Sequence, residues 1–174
     1  INQLLKVGFD TIDFGSFVSP KAVPQMADTK EVVEQLDFKN SKSKLLAIIA
    51  NVRGAMDAAA FEKINYLGFP FSISPTFQMR NTNSTIAESL ERVKEIKNIC
   101  DKNNKELVIY ISMAFGNPYG DEYNEDIVLE WIKKIVGEEI RIVSLADTVG
   151  LANASQVSST VNKVISQFPD LETG

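Results

Sequence analysis

The 174-residue sequence has no histidine and only one cysteine, Cys100. Without histidine a Ser-His-Asp triad cannot form, and acid–base or metal chemistry would depend on carboxylates, tyrosine, lysine, hydroxyls or the one thiol. A single cysteine excludes an intrachain disulfide framework and is typical of a reducing compartment. Because Cys100 falls on a predicted helix face, we expect it to pack in the core rather than to act in catalysis.

Long apolar runs and an excess of basic residues are also missing. No run approaches the roughly 20 apolar residues of a membrane helix, and no signal peptide is visible. The net charge is −5, with 18 Lys and Arg among 23 Asp and Glu, which does not suit a nucleic-acid-binding surface. We therefore expect no membrane or nucleic-acid partner and a cytoplasmic protein. Since Ile1 stands first, a leader could have been removed, and the location would then be mitochondrial.

Short apolar runs alternate with helical patterns along the whole chain. Residues 1–9 resemble the tail of a helix that ends at Gly8. Strands are predicted over 10–18, 45–52, 66–73, 106–115 and 140–147, and helices over 29–38, 55–65, 84–103, 154–168 and around Trp131. This alternation predicts an α/β fold with a parallel sheet.

The polar residues indicate which α/β fold this is. They follow nearly every predicted strand, and ligands bind at the carboxyl ends of strands both in doubly wound sheets and in barrels. A doubly wound sheet uses mainly the loops beside one switch point, whereas here every strand supplies polar groups. We therefore favour part of a TIM barrel, formed by one domain over residues 1–174.

Several polar residues at strand ends are candidates for chemistry, each with a structural alternative. A carboxylate in TIDFGSF, Asp13, is costly to bury unless it meets a cation, a metal or several donors, but it could face solvent. Asp147 in SLADTVG could cap a turn, which is the commoner role there, and Ser144 and Thr148 could be turn hydroxyls. Tyr110 could be a core aromatic residue.

Two arginines stand where loops are predicted to begin, Arg53 after Asn51 and Arg80 before Asn81. An arginine in such a place could bind a phosphate or a carboxylate, although most surface arginines are only solvated. The loop SFVSPKAVPQM contains prolines, serines and a lysine in a short stretch, and its composition alone does not indicate what it binds.

Four segments resemble hydroxymethylglutaryl-CoA lyases in the same order and spacing. SFVSPKAVPQM (16–26), directly after TIDFG, resembles the signature loop of that family. RNTNSTIAESLERV (80–93) resembles the loop and helix after its fourth strand, YISMAFGNPYG (110–120) its fifth strand and turn, and SLADTVG (144–150) its sixth strand. The first motif is specific to the lyases, whereas the SLADT-like strand end also suits related Claisen-type synthases.

The resemblance implies that the chain holds strands 2–6 of a (β/α)₈ barrel. It implies that the parent enzyme cleaves 3-hydroxy-3-methylglutaryl-CoA, an acyl-CoA, to acetyl-CoA and acetoacetate, as in leucine degradation. The implied chemistry is a retro-Claisen reaction in which Mg²⁺ or Mn²⁺ polarises the substrate oxygens. By position, the resemblance implies catalytic roles for Asp13, Ser16, Tyr110, Ser144 and Asp147, and substrate binding by Asn81 and Thr148.

The sequence also departs from the family pattern. Asp13 replaces the usual glutamate, Pro75 stands at an acidic position, and SLAD replaces SLGD. The family's metal ligands, an aspartate on the first strand and a His-x-His pair on the seventh, have no counterpart, and Cys100 does not match its mobile-loop cysteine. We therefore expect this fragment to lack the principal metal ligands and to be inactive alone.

Open sheet edges in such a fragment predict marginal stability or a homo-oligomer. Two other hypotheses remain. One is an acyl-CoA condensing synthase of the isopropylmalate or homocitrate type, against which the loop 16–26 argues. The other is a non-catalytic barrel fragment.

Overall fold

A computed structural model describes all 174 residues. The strands are β1 Thr11–Ser16, β2 Lys44–Ile48, β3 Ile64–Ser72, β4 Glu106–Ser112, β5 Ile142–Ala146 and β6 Glu172–Thr173. The α-helices are α1 Thr29–Glu34, α2 Val52–Ala59, α3 Pro75–Thr82, α4 Ile86–Lys102, α5 Glu125–Val136 and α6 Ala154–Gln167. Short 3₁₀ helices cover Leu4–Lys6 and Pro24–Met26. No helix is long and apolar enough to cross a membrane.

The order of the strands distinguishes the two folds considered from the sequence. The six strands lie in the sheet in chain order, from β1 to β6. The pairs β1–β2, β2–β3, β4–β5 and β5–β6 are parallel. A doubly wound sheet reverses its strand order at a switch point, and no reversal occurs here. The sheet and its helices fit part of a (β/α)₈ barrel, which confirms the predicted fold class.

The chain divides into two compact units. The first comprises residues 1–69 and 95–107, and the second residues 70–94 and 108–174. The first unit contains β1, β2, α1 and α2, whereas the second contains α3, β5, β6, α5 and α6. The single domain expected over 1–174 stays a prediction.

Alternation along the strands produces the core of the first unit. Ile12, Leu45 and Ile64 are neighbours in register on β1, β2 and β3, and each is almost wholly buried. Successive side chains of a strand point to opposite faces, so Asp13 faces away from Ile12. Cys100 is fully buried, and burial raises the pKa of its thiol to about 12. The predicted core role of Cys100 is confirmed.

Two lysines of the first unit bind backbone carbonyls where helices end. The ammonium of Lys63 donates to the carbonyls of Val33, Glu34 and Leu36 at 3.2, 2.9 and 3.0 Å. The ammonium of Lys105 donates to those of Phe61, Glu62 and Ile64 at 2.9, 3.4 and 2.6 Å. The carbonyls of Val33 and Phe61 also accept the backbone N–H groups of Leu36 and Ile64. Each lysine therefore adds a charged donor to the carbonyls of a segment that leaves a helix.

Helix caps account for the largest differences from the predicted elements. The side chain of Asn51 accepts the N–H of Gly54 at 2.9 Å, so α2 begins at Val52 rather than 55. Helix α3 was not predicted, although Ser74 caps it and Pro75 occupies its first turn, a common arrangement at helix starts. The Thr-x-x-Glu spacing of Thr85 and Glu88 predicts a capping box at the start of α4, and the structure contains it, since Glu88 accepts the N–H of Thr85 at 2.7 Å.

Other boundaries differ for equally local reasons. The predicted strand 106–115 ends at Ser112 because Met113 has a φ of 63°, outside the β region. Strand β6 was not predicted because only Glu172–Thr173 form it, through pairs with Ile142 and Val143. The first nine residues contain a 3₁₀ turn rather than a helix tail, and Gly8 follows it at a φ of 93°.

Candidate functional site

The predicted residues of the first unit, Asp13 and Ser16, both lie on β1. The side chain of Asp13 reaches solvent and has neither an ion pair nor a hydrogen bond, and loss of water around it raises the pKa of its carboxyl. The hydroxyl of Ser16 donates to the carbonyl of Ile48 on β2 at 3.3 Å. Asp13 is therefore a carboxylate without a local partner, whereas Ser16 is held at the sheet end.

A cleft of about 270 Å³ begins at Ser16. It follows the ends of β1 and β2 and extends between the first turn of α1 and helix α2. Its lining combines polar or charged residues with apolar ones. The polar or charged ones include Ser16, Ser19, Lys30, Asn51, Arg53 and Asp57, and the apolar ones include Phe17, Val18, Pro20 and Met26. The segment 16–20, at the start of the loop singled out in the sequence, is thus one wall of the cleft.

Gly54 allows that loop to approach α2. A Cβ atom added at Gly54 would lie 2.5 Å from the carbonyl oxygen of Phe17, which is too close for any other residue without a shift of the backbone. The predicted loop start at Asn51 and Arg53 is wrong, because Asn51 caps α2 and Arg53 lies in its first turn. The cap therefore places Arg53 at the rim of the cleft.

In the second unit, Tyr110 of β4 and Ser144 of β5 are partners in register. Both side chains are half-buried. The hydroxyl of Ser144 forms no hydrogen bond within the protein. Gly174 lies close by, since a Cβ atom added to Gly174 would be 3.8 Å from the hydroxyl oxygen of Ser144. Two hydroxyl-bearing residues thus stand side by side on neighbouring strands, and that of Ser144 is available to a ligand.

The turn after β5 contains Asp147 and Thr148. The hydroxyl of Thr148 accepts the N–H of Met113 at 2.9 Å, which joins the ends of β4 and β5. The carboxylate of Asp147 accepts the N–H groups of Leu151 and Ala152 at 2.9 and 3.0 Å, and these bonds lower its pKa. Asp147 has the turn-capping contacts that were the alternative to a catalytic role.

Asn81 does not lie in a loop, as the sequence suggested. It stands in the last turn of α3, which ends at Asn83 with a φ of 50°. Its side chain is exposed and forms no hydrogen bond. Arg80, also placed at a loop start, lies in the same turn with its guanidinium 4.8 Å from the ring centre of Tyr119.

Sequence reasoning missed Asp121, which binds the start of α3. Its carboxylate accepts hydrogen bonds from the hydroxyl of Ser74, from the N–H of Thr76 at 3.0 Å and from the hydroxyl of Thr76 at 2.8 Å. These bonds lower the pKa of Asp121, with the Ser74 bond as the largest cause. The Ser-Pro pair at 74–75 signals the helix start, but no local pattern identifies a carboxylate so far away in the chain as its partner.

Asn117 orders the loop that carries Asp121. Its side-chain oxygen accepts the N–H groups of Tyr119 and Asp121 at 3.0 and 3.1 Å, and its amide donates to the carbonyl of Asp121 at 2.9 Å. The ring of Tyr119 stacks against Phe77 with the ring centres 6.4 Å apart. The Asn-Pro-Tyr-Gly-Asp sequence is typical of such a turn, and the turn holds Tyr119 beside Arg80.

The donor groups present do not fit a metal site. No group of three or more acidic, histidine or cysteine side chains lies close enough together to hold an ion. Asp13 has no second carboxylate as a partner, and both oxygens of Asp147 are already bound by the backbone. Mg²⁺ in proteins usually takes one or two carboxylates together with waters and ligand oxygens, and Asp13, the predicted carboxylate without backbone bonds, belongs to no cluster of three or more ligating side chains.

Comparisons with known proteins agree on one family. The family described as HMGL-like matches residues 1–173. Relatives include the hydroxymethylglutaryl-CoA lyase YngG of Bacillus subtilis, 31% identical over 97% of this chain and 56% of its own length. The mitochondrial hydroxymethylglutaryl-CoA lyase of Macaca fascicularis is 30% identical over 97% of this chain and 51% of its own. The chain therefore spans about half the length of these relatives.

Solved structures give the same result. The HMG-CoA lyase of Bacillus subtilis superimposes with a TM-score of 0.90 at 30% identity, over 99% of this chain and 58% of that protein. An HMG-CoA lyase from Acinetobacter baumannii, in complex with coenzyme A and 3-methylmalate, gives a TM-score of 0.89 at 30% identity, over 99% and 56%. The fold of this chain is thus that of the matching half of these enzymes.

Proposed function

Because the chain belongs to the HMGL-like family, we propose that it is part of a lyase that cleaves 3-hydroxy-3-methylglutaryl-CoA to acetyl-CoA and acetoacetate. The observation that carries the proposal is the likeness, over 99% of the chain, to a lyase bound to coenzyme A. The paired residues Tyr110 and Ser144 support it, because the reaction needs hydrogen-bond donors beside a thioester.

The reaction determines what those donors would do. A base takes the proton of the tertiary hydroxyl, the oxygen forms the ketone of acetoacetate, and the electron pair of the broken C–C bond passes to the enolate of acetyl-CoA. A proton returned to the enolate carbon completes the balance. Negative charge develops on the thioester oxygen, and fixed hydroxyl donors stabilise such charge. We assign this role to Tyr110 and Ser144.

Asp13 is the carboxylate in this chain best suited to proton transfer. Partial loss of water raises the pKa of its carboxyl, which makes the carboxylate a better proton acceptor than an ordinary aspartate. Ser16 and Thr148 would then serve to hold the strand ends, given their bonds to Ile48 and Met113. Asn81 would contact substrate only at the rim, since it is exposed on α3.

Members of this family generally depend on a metal, yet the residues present do not provide a site for one. None of the proton transfers above therefore depends on an ion bound by this chain. The proposal is that residues outside these 174 supply the principal ligands for Mg²⁺ or Mn²⁺, and that this chain alone is inactive. Asp147 fits a role in the turn, because each of its two oxygens accepts a backbone N–H group there.

Two further predictions depend on the same proposal. The relatives are named both mitochondrial and cytoplasmic, so the expected cytoplasmic location stays a prediction. The expected homo-oligomer also stays a prediction; β1 is an edge strand of the sheet and could pair with another copy. The alternative of a condensing synthase has less support, because the closely matching relatives and structures reported above are lyases.

The deciding experiment measures acetoacetate release from 3-hydroxy-3-methylglutaryl-CoA by the full-length parent with Mg²⁺ or Mn²⁺. Tyr110→Phe and Ser144→Ala should each lower kcat by roughly 10²–10³, the order of effect seen when one oxyanion donor is lost. Ser158→Ala, an exposed serine on α6, is the control. A parent that instead condenses acetyl-CoA with a keto acid would contradict the proposed lyase activity. Acetoacetate release by the 174-residue chain would contradict the claim that this chain is inactive alone.

A further inference from the structure

Three pairs of residues in register form a row on one face of β4 and β5. From the amino to the carboxyl ends of the strands they are Val108–Ile142, Tyr110–Ser144 and Ser112–Ala146. Successive side chains of a strand point to opposite faces, so the three pairs share one face and the residues between them point to the other. On that other face Ile109 and Ile111 of β4 are fully buried. The row that contains Tyr110 is therefore the face that a ligand can reach.

The side chains of this row differ in bulk between its two ends. Val108 and Ile142, at the amino end, are branched, and Val108 is almost wholly buried. Ser112 and Ala146, at the carboxyl end, are both small. An acyl group bound at the middle pair of the row therefore meets less steric hindrance toward Ser112 and Ala146 than toward the branched pair.

The hydroxyl of Ser112 has no partner. Ser112 is 8% exposed and its hydroxyl forms no hydrogen bond within the protein, yet, unlike the hydroxyl of Ser89, it is not fully enclosed. The backbone of the pair is held, because the carbonyl of Ser112 accepts the N–H of Ile73 at 3.2 Å and the carbonyl of Ala146 accepts the N–H of Ala114 at 3.2 Å. A buried hydroxyl without a partner is costly, so an oxygen atom of a ligand would supply the missing hydrogen bond.

We propose that Ser112 and Ala146 are specificity-determining residues that bind the substituents at C3 of the acyl group. The hydroxyl of Ser112 bonds to the tertiary hydroxyl, and the methyl group of Ala146 contacts the alkyl substituent. The inference rests on the proposed function, in which Tyr110 and Ser144 bind the thioester oxygen. Successive pairs of the row are about 6.6–7 Å apart along the strand, and C3 is two bonds of about 1.5 Å each from the thioester carbon. The substituents at C3 can therefore reach the next pair of the row.

Ala146 limits the size of the alkyl substituent. The sequence has SLAD where the family pattern has SLGD, so one methyl group is added at this point of the face. One extra or missing methylene in an apolar pocket changes kcat/KM by roughly 10–200-fold. We therefore expect a methyl group at C3 to fit beside Ala146 and an ethyl group to be disfavoured.

The test measures acetyl-CoA release by the full-length parent from three thioesters, which carry hydrogen, methyl or ethyl at C3 of 3-hydroxyglutaryl-CoA. Ala146→Gly should raise kcat/KM for the ethyl substrate relative to the methyl substrate by roughly tenfold or more, because it removes the limiting methyl group. Ala146→Val should lower kcat/KM for the methyl substrate relative to the unsubstituted substrate by a similar factor. The two variants shift the size preference in opposite directions, so a general loss of structure cannot produce both results.

Ala154→Gly is the matched control, because Ala154 is exposed in the first turn of α6 and lies outside the row. It makes the same chemical change as Ala146→Gly and should leave both substrate ratios within about twofold, as surface substitutions usually do. Circular dichroism of each variant checks that the fold is retained.

Ser112→Ala tests the hydroxyl separately. It should raise the KM of the methyl substrate roughly fivefold, the effect of one hydrogen bond. The analogue 3-methylglutaryl-CoA lacks the C3 hydroxyl and cannot form this bond, so its inhibition constant should change by less than about twofold. A purely structural role of Ser112 would weaken the binding of substrate and analogue equally.

The inference is overturned if either Ala146 variant keeps the substrate ratios of the unchanged parent, or if Ala154→Gly shifts them as much. It is also overturned if Ser112→Ala changes the KM of the methyl substrate and the inhibition constant of the analogue to the same extent. Failure of the proposed function is distinct, because the unchanged parent would then release no acetoacetate from the methyl substrate. Normal acetoacetate release with unchanged substrate ratios would leave the lyase standing and reject only the role of the Ser112–Ala146 pair.

Discussion

Asp121 accepts a hydrogen bond from the hydroxyl of Ser74, although the two residues are 47 positions apart. The same carboxylate also binds the N–H and the hydroxyl of Thr76. It therefore occupies the N-terminus of α3, where the backbone N–H groups and the helix dipole both favour negative charge. The contact ties the loop after β4 to the helix after β3.

Asp121→Ala should lower the free energy of unfolding by about 1–2 kcal/mol, because it leaves the hydroxyl of Ser74 and the N–H of Thr76 without their acceptor. Urea denaturation measures the change. Glu122→Ala, which removes an exposed carboxylate from the next position, is the control and should change stability by less than about 0.5 kcal/mol. Equal effects of the two substitutions would show that the contact contributes nothing.

Non-local contacts of this kind mark the limit of what the sequence predicts. The alternation of apolar runs predicted the parallel sheet, and the spacing of Thr85 and Glu88 predicted a capping box that the structure contains. Both depend on residues close together in the chain. The partner of Ser74 depends instead on where two loops meet, and α3 was missed because Ser74 follows an apolar strand without a break.

The predicted site shows the same division. Tyr110 and Ser144 were identified from motifs, and their pairing follows once the strands are neighbours in register. The sequence does not predict the hydrogen bonds of Asp147. Its two donors are the backbone N–H groups of Leu151 and Ala152, and the residue types do not specify the backbone conformation of that turn. The residue types around Arg53 predict the start of a loop, whereas the side chain of Asn51 caps α2 and places Arg53 in its first turn.

Asp13→Asn should stabilise the protein at neutral pH. The pKa of Asp13 is raised in the folded state, so the folded protein holds this proton more tightly than the unfolded chain. Its contribution is therefore favourable below the pKa of the unfolded carboxyl and is lost as the pH rises through the raised folded value. We expect the Tm of Asp13→Asn to exceed that of the unchanged chain at pH 7 and to converge with it as the pH falls.

Asp121→Asn is the matched comparison, because the pKa of Asp121 is shifted in the opposite direction. Its contribution is present above the pKa of the unfolded carboxyl and is lost as the pH falls through the lowered folded value. The Tm of Asp121→Asn should lie below that of the unchanged chain at pH 7 and approach it in acid. Thermal denaturation between about pH 2.5 and 7 checks both curves. If the Tm of Asp121→Asn stays equally far below that of the unchanged chain at the acid end, the lowered pKa of Asp121 does not account for the difference.

Lys105→Met should destabilise the first unit by about 2 kcal/mol, since it leaves three carbonyls without their charged donor. The substitution keeps most of the aliphatic length, so the loss reports the ammonium rather than the packing. Lys102→Met removes an exposed ammonium from the last turn of α4 and should have little effect. Chemical denaturation distinguishes the two, and a Lys105→Met variant as stable as Lys102→Met would show that water replaces the lysine without cost.

Ser89 gives a prediction of the opposite sign. It lies within α4, is fully buried, and its hydroxyl has no hydrogen-bond partner. A buried hydroxyl without a partner is costly, and alanine has the higher helix propensity, so Ser89→Ala should raise the free energy of unfolding by about 1 kcal/mol.

Ser84→Ala provides the contrast, because the hydroxyl of Ser84 is also buried but is bonded to Gln78, Thr82 and Arg92. Its removal leaves the amide of Gln78 short of an acceptor and should lower stability by about 1–2 kcal/mol. Both variants delete one oxygen from a buried serine in the second unit. If their denaturation midpoints move in opposite directions, the difference reports the hydrogen bonds that Ser84 forms and Ser89 lacks. A loss of stability in Ser89→Ala would mean that its hydroxyl is bonded in solution after all.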